Sequence, residues 1–267
     1  MVKTILGISS HIEQYGQKGE PILLLHGWGK AVNLKQHLEP LALVLADEYR
    51  VTALEFPAHG QSGKPNAAWG VPEFALWVKV AMDALELRGV TLVAHSFGGR
   101  VALWLCTHYP KLVRRVVLTG AAGLLREKTP EEEAAGSRYQ ARKKMLQAMC
   151  KLPLLSRSAQ TLQKKLRDRR SSSDYLEADE DMKDSFVRIV SQDLGPLLPQ
   201  VSQPTLLIWG DQDEATPLWM AQRMEQEIPD AGLVIFENRG HFAYLEELGR
   251  FAGIIKAFIR EDRKTVD

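Results

Sequence analysis

A serine set between a buried strand and a helix is the clearest chemical feature of this chain. Val90–Ala94 (Val-Thr-Leu-Val-Ala) reads as a strand buried on both faces, and Phe97–Tyr109 as a helix ended by Pro110. Between them lies Ala94-His95-Ser96-Phe97-Gly98-Gly99. A Ser on so sharp a turn is pushed out at the end of the sheet. Small residues two before and two after it let strand and helix close together. Gly98 meets that need, and Ala94 stands where Gly is usual. A hydroxyl becomes a useful nucleophile only beside a base. In this arrangement acid and then base follow the serine in chain order, so of seven histidines only His108 and His241 qualify. His108 lies about 18 Å along the helix, at 1.5 Å per residue, too far to reach Ser96; it reads as a surface or helix-end residue. His241, in Asn238-Arg239-Gly240-His241-Phe242, follows a strand-like run and so falls where open α/β sheets bind ligands. It is the expected base.

The imidazole needs a carboxylate to orient it. Trp209-Gly210-Asp211-Gln212-Asp213-Glu214-Ala215-Thr216-Pro217 offers three just after another buried strand. Asp213 has the spacing expected of the acid; Asp211 is expected to shape the turn and Glu214 to face solvent. An oxyanion forming at the substrate needs backbone N–H donors. One is expected from Phe97, directly after the nucleophile. The other is expected from Trp28 in His26-Gly27-Trp28-Gly29, where the flanking glycines let the chain turn an N–H inward. His26 itself is expected to hydrogen-bond this loop and to move no proton. The Trp28 and Phe97 side chains are expected to line the pocket mouth and to favour an apolar substrate part.

These residues must be positioned by a sheet. Thr4–Ser9, His11–Tyr15, Pro21–His26, Arg50–Leu54, Val90–Ala94, Val113–Thr119, Thr205–Trp209 and Leu233–Phe236 read as strands, the first two as a hairpin. Asn33–Ala46, Pro72–Leu87, Phe97–Tyr109, Pro217–Glu227 and Leu245–Arg260 read as helices. The alternation predicts an α/β fold with a mainly parallel sheet flanked by helices. Residues 123–200 lack strand-like runs and read as helices inserted between core segments 1–122 and 201–267. Within the insertion, Arg138 to Arg170 carries eleven Lys or Arg against one acid, Asp168, and reads as solvated helix faces. With 267 residues, 45% hydrophobic, and a net charge of +1, the chain is long enough for one large core, and nothing in its charge asks for nucleic acid or a membrane surface. Cys106 and Cys150 read as two reduced, largely buried thiols. No signal peptide and no membrane-spanning run are read, so the expected location is the cytoplasm.

With these residues in order, the chain resembles the α/β-hydrolase superfamily over nearly its whole length. Glu55-Phe56-Pro57-Ala58-His59-Gly60-Gln61-Ser62-Gly63-Lys64-Pro65 is similar to the family's Asp-x-Pro-Gly-x-Gly-x-Ser turn, with Glu55 for Asp and Ala58 for Gly. The resemblance implies an eight-stranded sheet, a helical cap formed by the insertion, and a Ser96–Asp213–His241 triad with an oxyanion hole at Trp28 and Phe97. It implies neither a metal nor an organic cofactor. Dehalogenases and epoxide hydrolases of this fold use an Asp nucleophile, whereas residue 96 is Ser. The implied activity is hydrolysis of a small carboxylic ester with an apolar part. The alternatives are a thioester, a lactone, a C–C bond, or an ester carried on an acyl carrier protein that docks on the basic stretch; a ligand receptor on the same fold is a further one. The protein is expected to be a monomer or dimer.

Overall fold

The computed structural model describes residues 1–126, 130–150, 162, 175–176 and 178–264. Eight strands form one sheet: β1 (Val2–Ile5), β2 (Ile8–Tyr15), β3 (Pro21–Leu25), β4 (Arg50–Leu54), β5 (Val90–His95), β6 (Val113–Thr119), β7 (Thr205–Gly210) and β8 (Ala231–Phe236). Their order is β1-β2-β4-β3-β5-β6-β7-β8. β1 and β2 form a hairpin, β2 runs antiparallel to β4, and all remaining pairs are parallel. The predicted α/β class is therefore the observed one.

The hairpin turns earlier than the expected strand Thr4–Ser9 allows. Leu6 and Gly7 take φ of 49° and 77°, and Ile5 pairs directly with Ile8. Two successive positive-φ residues form the tight turn whose twist matches the flanking strands. The expected helix over Asn33–Ala46 is divided into α1 (Leu34–His37) and α2 (Glu39–Leu45). Pro40 lacks the N–H that would continue the helix through this point. Asn33 caps α1 as expected, its side-chain oxygen accepting from Gln36 N–H at 3.0 Å. Next come α3 (Val71–Ala84), α4 (Phe97–His108) and α5 (Pro130–Cys150). They are followed by α6 (Lys183–Ser191), α7 (Leu218–Glu227), α8 (Ala243–Glu246) and α9 (Leu248–Lys264).

The parallel strands are buried on both faces. Leu23, Leu25, Leu92, Ala94, Leu118 and Leu207 join one apolar cluster with residues of α3, α4 and α7. Their neighbours Ile22, Leu24, Val93, Val117, Leu206 and Ile208 join a second with residues of α1, α2, α8 and α9. This is why these strands read as continuous apolar runs rather than alternating ones. Each fully buried aliphatic side chain contributes about 1.5–3 kcal/mol over its exposed state. Trp77 and Trp209 are fully buried, and each indole N–H has an acceptor, Ser10 Oγ at 3.3 Å and Thr216 O at 2.7 Å.

Met1–Leu125 with Asp179–Asp267 forms one compact unit, and Arg126–Ala178 a second. The first unit takes in 123–125 and 179–200, both assigned to the insertion in the sequence reading. Leu194 N–H donates to Gly123 O at 2.8 Å, Leu125 N–H donates to Asp193 Oδ1 at 3.2 Å, and Met182, Ile189, Leu194 and Leu198 join the sheet's core. Most of the basic stretch, 151–161 and 163–170, lies outside the described residues. Cys106 is free and buried, and burial pushes its thiol up to about 12. No helix among the described residues is long and apolar enough to cross a membrane.

Candidate active site

The parallel register brings the ends of five strands, β3, β5, β6, β7 and β8, to one edge of the sheet. Leu25 pairs with Ala94 and Ala94 with Leu118, while β6 and β7 end together near Thr119 and Ile208. The loops after β3, β5, β6, β7 and β8 consequently meet.

Ser96 sits between β5 and α4 with φ 51° and ψ −113°, a conformation that costs a non-glycine residue about 1–3 kcal/mol. The fold holds it there. Its N–H donates to Thr119 O at 3.2 Å, and its carbonyl accepts from Gly99 N–H at 2.9 Å and Ala122 N–H at 3.0 Å. Gly98 N–H donates to His26 O at 3.1 Å, and a Cβ on Gly98 would lie 2.8 Å from the carbonyl oxygens of both His26 and Leu25. Glycine is therefore required by the close approach of β3.

Asp213 is buried in the loop after β7. Its Oδ1 accepts from Ala215 N–H and Thr216 N–H, each at 2.9 Å, and its Oδ2 accepts from Thr216 Oγ1 at 2.8 Å. His241 Nδ1 lies 2.8 Å from the same Oδ2. A carboxylate only accepts, so Nδ1 carries the proton and Nε2 is left with a free lone pair. Burial alone would push the Asp213 carboxyl up. The hydrogen bonds from His241 and Thr216 outweigh it and hold the group below its ordinary range. Gly120, with φ +48°, faces this pair. A Cβ there would lie 3.0 Å from His241 Nδ1 and 3.1 Å from Asp213 Oδ2.

The loop after β3 closes over Ser96. A Cβ on Gly27 would lie 3.1 Å from Ser96 Cβ. No acceptor among the described residues takes the N–H of Trp28 or of Phe97. His26 is fully buried, with Nδ1 donating to Gly27 O at 2.7 Å and Nε2 accepting from Phe56 N–H at 3.0 Å. Burial and the nearby His59 hold its pKa well below the usual value. It is the neutral loop brace expected from sequence. His59 braces the same loop, accepting from Gly29 N–H at 3.4 Å, and burial lowers it to about 4. Glu55 uses its extra methylene to accept from Leu34 N–H at 3.1 Å and Gln61 N–H at 2.6 Å, a structural role in the turn.

Of the five expected site residues, Ser96, Asp213, His241 and Trp28 lie on turns and loops at this edge, and Phe97 opens α4 directly after Ser96. The described hydrogen bonds join His241 to Asp213; none joins Ser96 Oγ to His241 Nε2. His108 is exposed and stacks on Trp104, with ring centroids 4.0 Å apart, away from the site. Glu214 is exposed as expected; the Asp211 amide donates to Phe236 O at 3.2 Å, but its buried Oδ1 has no hydrogen-bond partner among the described residues. The Phe97 ring does not: it is 2% exposed and packs against Phe56, Phe74 and Trp28 at 4.9, 5.0 and 5.4 Å, within the core. Its place at the start of α4 turns it under the sheet edge. Trp28 stays half-exposed beside Phe186 of α6.

Sequence reading missed His95, Thr216 and Gly120. His95 Nε2 donates to the His241 carbonyl at 3.0 Å and thereby ties the serine loop to the histidine loop. Burial, then the nearby His241, lowers it to about 3. Its position next to Ser96 was a usable signal. Nothing local marks Gly120, whose partners arrive from β7 and β8. Among the described residues no group of three or more His, Cys, Asp or Glu is placed to hold a metal ion.

Residues 20–248 match the alpha/beta hydrolase fold family, and the chain belongs to it. It is 28% identical over 263 residues to the 2-hydroxy-6-oxo-2,4-heptadienoate hydrolase of Pseudomonas putida, covering 95% of this chain and 93% of that one. Among solved structures, it resembles a meta-cleavage product hydrolase from Pseudomonas fluorescens IP01 with TM-score 0.73 and 23% identity, covering 98% of both chains. It resembles an esterase from Exiguobacterium antarcticum with TM-score 0.72 and 24% identity, covering 97% and 98%.

Proposed function

We propose that this protein is a serine hydrolase that cleaves a small carboxylic ester through an acyl-enzyme on Ser96. The observation that carries the reading is the 2.8 Å bond from His241 Nδ1 to a buried Asp213, at the same sheet edge as a serine held in a strained turn. His241 Nε2 takes the Ser96 proton as Oγ attacks the ester carbonyl. Nucleophile–base bonds commonly close only with substrate in place. Asp213 keeps the proton on Nδ1 and stabilises the imidazolium that forms. The free N–H groups of Trp28 and Phe97 hold the oxyanion, each worth about 10²–10³-fold. His241 then protonates the departing alcohol. Water, activated by His241, releases the acid and restores Ser96.

A second reading keeps these residues and changes the bond. The relative from Pseudomonas putida is named for hydrolysis of a 2-hydroxy-6-oxo dienoate, which favours a C–C bond next to a ketone as the alternative. The two are separated by turnover on p-nitrophenyl esters, acetate through octanoate, and on a 2-hydroxy-6-oxo dienoate, by wild type and Ser96→Ala. Ester turnover lost in Ser96→Ala supports the first reading. Turnover of the dienoate alone replaces it with the second. Failure of a fluorophosphonate to label Ser96 in the wild type would overturn both.

A further inference from the structure

Thr216 has no part in the mechanism above, yet its hydroxyl touches three of the loops that build the site. Oγ1 lies 2.8 Å from Asp213 Oδ2, 2.9 Å from Gly120 O and 3.3 Å from His241 Nδ1. Those atoms follow β7, β6 and β8 respectively. The residue is buried, and its own N–H donates to Asp213 Oδ1 at 2.9 Å, so one residue grips both oxygens of the acid. Pro217 comes next and disfavours helical backbone at Thr216.

The hydroxyl carries a single proton and shares it, as a three-centre bond, between two pure acceptors, Asp213 Oδ2 and Gly120 O. A threonine that merely filled the core would need one partner. Here the oxygen instead stands beside the Nδ1–Oδ2 bond and limits how far the carboxylate can swing about its side-chain torsion. The Thr216 hydrogen bonds are also among those holding the Asp213 carboxyl below its ordinary range, so they favour the charged form that the imidazolium requires.

We infer that Thr216 is a positioning residue for the triad, its hydroxyl locking Asp213 Oδ2 against His241 Nδ1 and tying both to the Gly120 turn. The inference rests on the proposed serine-hydrolase reading. It adds a polar group whose effect should fall on the chemical step and not on substrate binding, because Thr216 reaches the reaction only through Asp213 and His241.

The test compares Thr216→Val, which keeps the branched shape and the backbone N–H, with Thr216→Ser, which keeps the hydroxyl. Fluorophosphonate labelling of the wild type at Ser96 is run first; its failure would sink the hydrolase reading whatever Thr216 does. With labelling established, Thr216→Val is expected to lower kcat about tenfold with KM unchanged, the scale of one hydrogen bond to a charged group. Thr216→Ser is expected to restore kcat to within about twofold. If the Val variant fails to fold by circular dichroism, Thr216→Ala takes its place, with the same expectation. The inference is overturned if the hydroxyl-free variant folds and keeps kcat within about twofold of wild type. It is equally overturned if the Ser variant is as impaired as the hydroxyl-free one, or if the loss falls on KM alone.

Discussion

Ser96, His241 and Asp213 lie far apart in the chain, and each is held by contacts that its own sequence neighbours do not supply. Asp213 shows the point most directly. It is buried, accepts four hydrogen bonds, and meets His241 from the next strand-end loop. Because the carboxylate accepts the Nδ1 proton, replacing it with an amide reverses the local donor pattern. Asp213→Asn is expected to retain the fold and to lose about 10⁴-fold in kcat, measured on the best ester of the ladder. A loss under tenfold would mean that the acid lies elsewhere. His95 works through geometry as well: its Nε2–H on the His241 carbonyl links the nucleophile turn to the base. Its neutral state is what leaves Nδ1, which faces Gly27, without a proton.

At the scale of elements, the site depends on how closely β3, β5 and α4 approach one another. Gly98 permits it, with no room for a methyl group between α4 and the carbonyls of Leu25 and His26. Gly98→Ala is expected to lower stability by about 1–3 kcal/mol, the cost of overpacking, and to slow fluorophosphonate labelling of Ser96 in whatever folds. Urea unfolding measures the first effect; an unchanged midpoint would show that the backbone can yield here. Most elements were legible because buried parallel strands are unbroken apolar runs. The errors fell where one residue overrides a pattern. Leu6 and Gly7 place the turn of the expected hairpin inside the run read as its first strand, and Pro40 divided an expected helix in two. Residues 179–200 read as insertion because they hold no strand, yet Phe186 and Ile189 pack into the sheet unit.

The whole molecule carries an acid sensitivity built into this edge of the sheet. His26, His59 and His95 are buried and neutral; His59 and His95 titrate at about 4 and about 3, and His26 well below the usual value. In the unfolded chain each titrates near 6.5. Between these values the unfolded chain binds more protons, so acid favours unfolding. Stability is full above about pH 6.5 and falls as the pH drops towards 4, by about 1.4 kcal/mol per pH unit for each such histidine. Denaturant midpoints at pH 7, 6 and 5 measure the slope. His59→Gln is expected to reduce it by about a third, and a pH-independent midpoint across that range would refute the assignment of neutral buried histidines.

Sequence alone determined the fold class, the parallel strands and the candidate triad, because strand burial, turn residues and chain order are local or ordinal properties. Ser96 is marked by its strand-turn-helix setting, and His241 by being the one histidine after it within plausible reach. The tertiary structure alone decided which groups brace those residues. Thr216, Gly120 and His95 act on partners that follow other strands, and the packing register, not sequence distance, brings them within 3 Å or so. It also decided that the Phe97 ring belongs to the core, while no acceptor among the described residues takes its N–H. A residue's backbone and side chain leave the chain in different directions, and only the packed neighbours say what each direction meets.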